Sequence, residues 1–209
     1  MSAPPEGAKD FSFLRLMAIT DNLRDGIGGL VARATAAVNG GATSVQVRLK
    51  DATPREIVEV ASTLVASLRV PIIVNDRFDL ALAAGAAGVH VGPDDLAVKA
   101  IRRVVPESFI IGASFGLDSE FENARIADYV GIGPVAATSS KADAGSAIGI
   151  AEFKRLSARV AVPAVGVGGI TPEIAAQLIA AGAAGVAVMS GIFSVNDPER
   201  ASSSFLSAI

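Results

Sequence analysis

Eight short apolar runs recur along the chain, and polar or glycine-rich segments follow them. The runs are rich in β-branched residues and almost continuously apolar, which is typical of strands buried on both faces of a parallel sheet. They lie at residues 15–20, 43–49, 70–75, 88–92, 109–115, 129–134, 162–169 and 185–191. The pattern therefore predicts eight parallel strands.

Helical stretches separate these runs. The helix predicted after the second run begins with Thr53, Pro54 and Glu56, which indicate a capping residue, a first helical residue and the partner of the cap. A similar start signal recurs at residues 171–173. Apolar residues at helical spacing follow the first signal, at Ile57, Val60, Ala61, Leu64 and Leu68.

One segment occurs twice. The letters AGAAGV lie at residues 84–89 and 181–186, each time between a predicted helix and a predicted strand. Eight such units in about 200 residues predict an α/β fold with a single (β/α)8 TIM barrel. We expect a polar tail at 1–12 and the barrel at 13–209. The alternative is an open doubly wound sheet, but no G-x-G-x-x-G follows the first run.

Composition narrows the function classes. Hydrophobic residues make up 51% of the 209 residues, enough for a large core, and the formal charge of −3 argues against a general nucleic-acid binder. The lack of cysteine excludes disulfides, a thiolate nucleophile and cysteine-containing zinc sites. No run reaches the roughly 18 apolar residues that a membrane helix needs, and the first residues do not form a signal peptide. We therefore expect a soluble, cytoplasmic protein with no membrane partner.

The chemistry of such barrels collects at the C-terminal ends of the strands. After the second run, Gln46, Arg48 and Lys50 alternate, so in an extended segment they share one face. A guanidinium and an ammonium group together are suited to a di- or polyanion. The alternative is a solvated strand end that leads into the next helix.

Carboxylates follow the third and fourth runs. Asn75 and Asp76 end the third, and Asp94 and Asp95 come after the fourth. Because neighbouring strands lie about 5 Å apart, Asp76 and one of the later pair can share Mg²⁺. One alternative is helix capping by Asp76 and Asp94. Another is an acid/base pair, but that needs a raised pKa, which an open rim rich in cations is not expected to supply.

The chain's single histidine, His90, lies between two valines of the fourth run. It is predicted to be a core residue with its hydrogen bonds satisfied, and no catalytic role is assigned to it. A Ser-His-Asp triad would have to use His90, and nothing else in the sequence supports one.

Hydroxyl groups and glycines follow the remaining runs. Ser114 ends the fifth run, and a long polar loop at 135–145 suggests a lid, with a mobile surface loop as the alternative. The glycine-rich segments GVGGIT and VMSGIF after the last two runs can present backbone N–H groups to a phosphate. The rim thus has two anion-binding sectors, which would fit two phosphorylated ligands or one bisphosphate.

Several segments, in order, resemble the thiamine phosphate synthase family. They run from AITD to VMSGIF and include VQVRLK, VNDRFDLALAAGAAGVHVGPDDL, DYVGIGPV with TSSKAD, and VGGITPE with GVAVMSGIF. The resemblance implies a transferase that joins hydroxymethylpyrimidine diphosphate to thiazole phosphate, giving thiamine phosphate and diphosphate. No general base is required of the protein.

The resemblance also implies roles for individual residues. Catalysis would use Arg48, Lys50 and Lys141 to stabilise the departing diphosphate, and Mg²⁺ would bind to Asp76 and Asp95. The pyrimidine diphosphate would contact Gln46, Arg48, Lys50, Asn75, Ser114 and Lys141. The thiazole phosphate would contact Thr138, Ser139, Ser140, Gly169, Met189 and Ser190.

Five positions depart from the family's usual residues: Met17, Pro93, Gly116, Ala136 and Ala137. Thiazole tautomerases, a related branch, use a histidine at the position of Gly116 and tend to lack the metal-binding acids, so that activity is the weaker alternative. A further alternative is a paralogue that binds thiazole or thiamine phosphates without catalysis. We expect small phosphorylated substrates as partners, with a homodimer as a possible assembly.

Overall fold

The strands form a closed barrel in the order in which they occur along the chain. The computed structural model describes residues 10–138 and 146–209. Every neighbouring pair is parallel, and β1 pairs with both β2 and β8, which closes the sheet. The predicted TIM barrel is confirmed. The strands are β1 (Leu16–Ile19), β2 (Ser44–Val47), β3 (Ile72–Asn75), β4 (Gly88–Val91), β5 (Ile110–Ser114), β6 (Tyr129–Ile132), β7 (Ala164–Val167) and β8 (Gly185–Val188).

Each predicted run contains one of these strands, but the strand is shorter than the run. The helices are α1 (Gly26–Asn39), α2 (Pro54–Ser67), α3 (Phe78–Ala83), α4 (Val98–Arg102), α5 (Phe121–Ala124), α6 (Gly149–Ser157), α7 (Pro172–Ala180), α8 (Ser190–Phe193) and α9 (Pro198–Ala208). Within the described parts of the chain, no helix has both the length and the apolar character needed to span a membrane.

The predicted start of α2 is present as a complete capping box. The Thr53 hydroxyl accepts from the Glu56 N–H at 3.3 Å, and the Glu56 carboxylate accepts from the Thr53 N–H at 2.7 Å. At the start of α7, the Thr171 hydroxyl accepts from the Ile174 N–H at 3.3 Å. Both helices therefore begin where the sequence pattern places them.

The two AGAAGV segments form the same joint. In each, the glycine has a left-handed backbone, with φ of 68° at Gly85 and 97° at Gly182. The N–H groups of Ala86 and Ala183 donate to the carbonyl five residues earlier, at 2.9 and 3.0 Å. This 6→1 bond ends a helix tightly, and glycine is favoured at the left-handed position. The repeated letters thus encode a repeated helix end that leads directly into a strand.

Two apolar clusters lie on opposite sides of the sheet. The larger packs the outer strand faces against the helices. The smaller is centred on the inside of the barrel and comprises Phe13, Leu14, Met17, Ile19, Ile73, Tyr129, Val165 and Ala187. The 3₁₀ turn Ser12–Leu14 brings Phe13 to this inner cluster. The Phe13 ring meets Tyr129 edge-on at 6.0 Å between centroids, and the Ser44 hydroxyl donates to the Phe13 carbonyl at 2.7 Å.

The inner cluster has room for the Tyr129 ring because Gly112 faces it. A Cβ atom at Gly112 would overlap Cζ, Cε1 and the hydroxyl oxygen of Tyr129. Because Tyr129 is itself fully buried, the ring cannot move towards solvent without opening the barrel interior.

We expect Gly112→Ala to lower the free energy of unfolding by about 1–3 kcal/mol, the usual cost of forcing an extra group into a packed core. Gly28→Ala is the matched control, because a Cβ there meets no atom within 4 Å. Gly28 lies in α1, so alanine should raise stability by roughly 0.5–1 kcal/mol. Urea unfolding of both variants measures the difference. Equal stability of the two would contradict the packing described for Tyr129.

Candidate active site

A pocket of about 340 Å³ lies beside the C-terminal end of β2 and carries the predicted basic residues. Arg48, Lys50 and Met189 line it. Other lining residues come from the loops after β1 and β2 and from the start of α2: Asp21, Asn22, Leu23, Leu49, Asp51, Ala52 and Glu56. The structure therefore brings Arg48 and Lys50 together with the residue that directly follows β8.

The expected extended face from Gln46 to Lys50 is not present, because β2 ends at Val47. Gln46 is buried, and its amide nitrogen donates to the Met17 sulfur at 3.7 Å. Arg48 is half-buried and Lys50 is exposed. The three residues thus occupy successive depths, from the barrel interior to solvent.

Thr20, at the end of β1, holds the backbone of Arg48. Its hydroxyl accepts from the Arg48 N–H at 2.9 Å and donates to the Arg48 carbonyl at 3.2 Å. Thr20 is fully buried. The Arg48 guanidinium in turn donates to the Met189 sulfur at 3.9 Å. These contacts direct the Arg48 side chain across the mouth of the barrel towards β8.

Asp76 and Asp95 form a carboxylate pair above β3 and β4. Their side chains are hydrogen-bonded to each other. Asp76 has a left-handed backbone with φ of 66°, and its N–H donates to the His90 carbonyl at 2.8 Å. Asp95 accepts from the Gly92 N–H at 2.7 Å. The backbone of Asp76 is thus tied to the neighbouring strand β4, whereas the Asp95 carboxylate is held within its own turn.

The pKa of Asp76 is raised to about 6, and burial is the largest cause. The hydrogen bond to Asp95 and the negative charge of Asp95 also raise this pKa, whereas the positive charges of Lys50 and Arg48 lower it. The expectation that a cation-rich rim would leave this pKa low is wrong, because burial and the like charge outweigh the two cations. A raised pKa in a cleft marks a functional carboxyl, so the acid/base interpretation stays open beside the metal interpretation.

The capping interpretation is wrong for both acids. Arg77 precedes α3 without a side-chain cap and pairs with Asp79 instead. At the start of α4, the Val98 N–H donates to the side chain of Asn123 at 3.1 Å. Neither Asp76 nor Asp94 caps the helix that follows it.

The two carboxylates fit Mg²⁺ better than a metal that needs a full set of protein ligands. Across residues 10–138 and 146–209, no group of three or more histidine or acidic side chains could hold a metal. Mg²⁺ commonly uses one or two carboxylates and completes its shell with waters and substrate phosphates. A cation between Asp76 and Asp95 would also relieve the repulsion between two ionised carboxylates.

His90 lies inside the barrel, as predicted for a core residue with satisfied hydrogen bonds. Its Nδ1 is 3.1 Å from the Tyr129 hydroxyl, and its Nε2 is 3.3 Å from the Ser114 hydroxyl. Burial raises the pKa of Tyr129, so its hydroxyl stays protonated. The Ser114 side chain thus contacts a half-buried histidine of the neighbouring strand.

The second sector lies at the ends of β6, β7 and β8. Gly169 has φ of 65°, and a Cβ there would lie 2.6 Å from the Ala137 carbonyl oxygen and 2.7 Å from backbone atoms of Ala136. Thr138 follows that loop and is half-buried. Ser190 is the first residue of α8, directly after Met189. The predicted residues Ser139, Ser140 and Lys141 lie outside the described residues.

Sequence reasoning missed the supporting roles of Thr20 and Tyr129. The sequence offered one weak indication of the role of Thr20, because a hydroxyl residue stands at the end of the first apolar run. Tyr129 is the chain's only tyrosine and lies within an apolar run, which gave reason to expect a buried hydroxyl with a polar partner. The hydrogen-bonding partners of these two hydroxyls, Arg48 and His90, lie far away along the sequence.

Comparison with known proteins gives the family. The family model described as thiamine monophosphate synthase matches residues 16–192. The chain belongs to this family. It is 43% identical to a thiamine-phosphate synthase of Xanthobacter autotrophicus over 201 residues, which cover 94% of this chain and 95% of that protein. It is 42% identical to one of Azorhizobium caulinodans over 193 residues, covering 90% and 91%.

A solved structure supports the same assignment. The thiamine phosphate pyrophosphorylase from Pyrococcus furiosus superposes with a TM-score of 0.83 at 33% identity, covering 94% of this chain and 96% of that one. The family, the named relatives and this structure indicate a transferase with thiamine-phosphate synthase activity. The resemblance stated from the motifs is confirmed.

We expect Asp76→Asn to be more stable than the parent protein in metal-free buffer at pH 8, by on the order of a few degrees in Tm. The carboxyl's folded-state pKa of about 6 lies above its ordinary 3.8, so its favourable contribution is present at low pH and is lost as the pH rises through 6. The gain should be smaller at pH 5. Asparagine tolerates the left-handed backbone, so the turn is kept. Thermal melts across this pH range, with and without Mg²⁺, measure the effect, and a given Mg²⁺ concentration should stabilise the parent more than the variant.

Asp79→Asn is the matched control with the opposite sign. The hydrogen bond from Arg77 lowers the pKa of Asp79, so that carboxylate contributes stability above its ordinary pKa and loses it as the pH falls. The pair is exposed, so the loss at neutral pH should be small. Destabilisation by Asp76→Asn at pH 8 without metal would contradict the strained carboxylate pair.

Proposed function

We propose that this chain joins hydroxymethylpyrimidine diphosphate to thiazole phosphate by a substitution in which the diphosphate leaves early. The observation that carries the proposal is the close pair Asp76 and Asp95, with Arg48 and Lys50 near enough to influence its ionisation. A diphosphate leaving group requires this combination of cation-binding acids and positive side chains. Family membership supplies the two substrates.

The bond changes balance without a proton transfer. The C–O bond between the pyrimidine methylene and the diphosphate breaks, and its electron pair stays on the diphosphate. The thiazole nitrogen then uses its lone pair to form the new C–N bond, giving a thiazolium cation. A general base is unnecessary, which agrees with a site in which the sole histidine is held in the interior by Tyr129 and Ser114.

The basic pocket stabilises the charge that develops on the leaving group. Arg48, whose backbone is held by Thr20, presents a planar guanidinium, and Lys50 adds an exposed ammonium at the pocket edge. Lys141 is proposed to act with them. Mg²⁺, when bound by Asp76 and Asp95, would neutralise part of the diphosphate charge. Asp94 is exposed beside this pair, and the proposed reaction assigns it no role.

The two ends of the substrates are proposed to bind on opposite sides of the mouth. Gln46, Asn75 and Ser114 line the side that would receive the pyrimidine. Gly169, Met189 and Ser190, with the loop residues Thr138, Ser139 and Ser140, would hold the thiazole phosphate, largely through backbone N–H groups. In this proposal the thiazole nitrogen would approach the methylene carbon from the side opposite the departing diphosphate.

Both alternative functions receive less support. The tautomerase branch needs a histidine where this chain has Gly116, whose N–H donates to the Glu120 carboxylate at 2.5 Å. A binder of thiazole phosphate alone would need the glycine-rich sector but not the acids or the basic pocket. The presence of both sectors favours an active synthase.

The first experiment supplies the purified protein with both substrates and Mg²⁺ and detects thiamine phosphate by fluorescence after oxidation. We expect product that disappears with a chelator and returns with excess Mg²⁺. Asp76→Asn should raise the Mg²⁺ concentration for half-maximal rate by at least about tenfold, because one of two carboxylate ligands loses its charge. Undiminished turnover in chelator would overturn the metal assignment, and binding of thiazole phosphate without product would favour the non-catalytic paralogue.

A second variant tests the basic pocket separately from the metal. Lys50→Met should lower kcat/KM by about 100-fold, the usual scale for removing one group that stabilises developing charge. Lys99→Met is the control, since Lys99 is exposed on α4. Steady-state rates at saturating Mg²⁺ compare the two. Similar rates for both variants would remove Lys50 from the mechanism.

The assembly and location of the protein are part of the same proposal. We infer that the enzyme works in the cytoplasm on small phosphorylated substrates. A homodimer stays a prediction, and sedimentation equilibrium of the purified chain distinguishes it from a monomer.

A further inference from the structure

Two methionine sulfurs accept hydrogen bonds from side chains at the C-terminal end of β2. The Met17 sulfur accepts from the Gln46 amide at 3.7 Å, and the Met189 sulfur accepts from the Arg48 guanidinium at 3.9 Å. Met17 is 1% exposed, whereas Met189 is half-buried and lines the pocket of about 340 Å³. A small solute in this pocket can therefore contact the side chain of Met189, but that of Met17 is shielded.

The composition of the chain makes the thioether sulfurs its main targets for peroxide. The chain has no cysteine, no tryptophan and three methionines, so no thiol competes for the oxidant. Peroxide converts a methionine to its sulfoxide, and exposed side chains react before buried ones. Met1 lies outside the described residues. Of the two methionines that the structure describes, exposure favours Met189.

The contact between Met189 and Arg48 is easily exchanged in its present form. A thioether sulfur is a weak acceptor, whereas a phosphate oxygen forms a shorter, charge-assisted hydrogen bond with a guanidinium. The two Thr20 contacts involve only the backbone of Arg48, so they persist when the guanidinium turns. The sulfur therefore directs Arg48 without competing strongly with a ligand.

A sulfoxide at Met189 would be a strong acceptor in the same place. The sulfur lone pair takes one oxygen atom from hydrogen peroxide, the O–O bond breaks, and the other oxygen leaves as water with both protons. The new oxygen carries much of the electron density of the S–O bond. A hydrogen bond from a guanidinium to such an oxygen spans about 2.7–2.9 Å. An oxygen on a sulfur that lies 3.9 Å from the guanidinium nitrogen fits this gap.

We propose that Met189 is an oxidation site that regulates this enzyme, because its sulfoxide holds the Arg48 guanidinium and withholds it from the diphosphate. The oxidant is a peroxide, and reduction of the sulfoxide by a methionine sulfoxide reductase restores the thioether. The inference rests on the proposed function, since that assigns Arg48 to the diphosphate.

The first test maps the oxidation. Trypsin would place the three methionines on separate peptides, 1–9, 16–24 and 160–200, so mass spectrometry resolves them. In the native protein we expect hydrogen peroxide to oxidise peptide 160–200 at least about tenfold faster than peptide 16–24, because exposure controls the reaction. In denaturant the two rates should become equal. Equal rates in the native protein would overturn the proposal, and the result does not depend on turnover.

The second test measures the binding of inorganic diphosphate by calorimetry at a fixed Mg²⁺ concentration. The sample is protein in which peptide 160–200 is oxidised and peptide 16–24 is not. We expect oxidation to weaken binding by about 10–100-fold, the scale of one hydrogen bond to a charged group. Treatment with methionine sulfoxide reductase should restore the affinity. Unchanged affinity after oxidation would overturn the proposal.

Two leucine variants identify the sulfur that is responsible. Each variant is compared with its own untreated affinity for diphosphate, because Met189 is itself a proposed substrate contact. Met189→Leu keeps the apolar bulk and removes the sulfur, so peroxide should leave its affinity unchanged. Met17→Leu is the matched control and should lose affinity in peroxide as the parent does. The opposite pattern, with a sensitive Met189→Leu, would overturn the proposal.

An Arg48→Leu background separates the hold on Arg48 from simple blocking of the pocket. Lys50 and Mg²⁺ should keep the weaker binding of diphosphate measurable in this variant. Oxidation of Met189 should then cause no further loss, because the donor to the sulfoxide is gone. The same loss in both backgrounds would show that the sulfoxide acts without Arg48, which would overturn the proposal.

Failure of the proposed function gives a different result. A protein that forms no thiamine phosphate, but whose diphosphate binding falls when Met189 is oxidised, would lack the synthase activity and retain the oxidation site. A protein that forms product at an undiminished rate after complete oxidation of Met189 would be a synthase without this regulation.

Discussion

Two carboxylates held side by side set the conditions for the rest of the site. Asp76 and Asp95 leave neighbouring strands, and their turns direct both side chains to one point. The arrangement opposes folding in two ways, through like charge and through the left-handed backbone at Asp76. The protein keeps it because the large outer core supplies stability from elsewhere. Such a pair is most favourable when a proton or a cation lies between its oxygens.

The interior of the barrel is divided into two layers with different tasks. Phe13, Met17 and Ile73 belong to the apolar cluster, and the short turn before β1 adds to its floor. Above it, hydrogen-bonding groups point inwards and lead to the rim. Tyr129 belongs to both layers, since its ring packs in the cluster and its hydroxyl joins the polar groups. The position of the Tyr129 hydroxyl therefore depends on how well the apolar floor holds its ring.

The sequence predicted the fold because parallel strands buried on both faces leave a simple apolar signal. It also placed most candidate residues at the strand ends, since that follows from topology alone. The depths of Gln46, Arg48 and Lys50 were not predictable, because they depend on where β2 stops. The partners of His90 and the pKa of Asp76 were not predictable from the sequence either. The partners of His90 are fixed by the register of β4, β5 and β6, and the pKa of Asp76 by burial and by its distance from Asp95.

Gly169 packs closely against the preceding loop, and this contact determines which residues of the site can be replaced during evolution. Gly169 meets backbone atoms of Ala136 and Ala137, not their side chains. The path of that loop is therefore guaranteed by main-chain atoms, which every residue type supplies. The side chains at 136 and 137 can therefore differ from the family's usual residues while the loop keeps its course. The constraint falls on Gly169, where any residue larger than glycine would push two loops of the mouth apart.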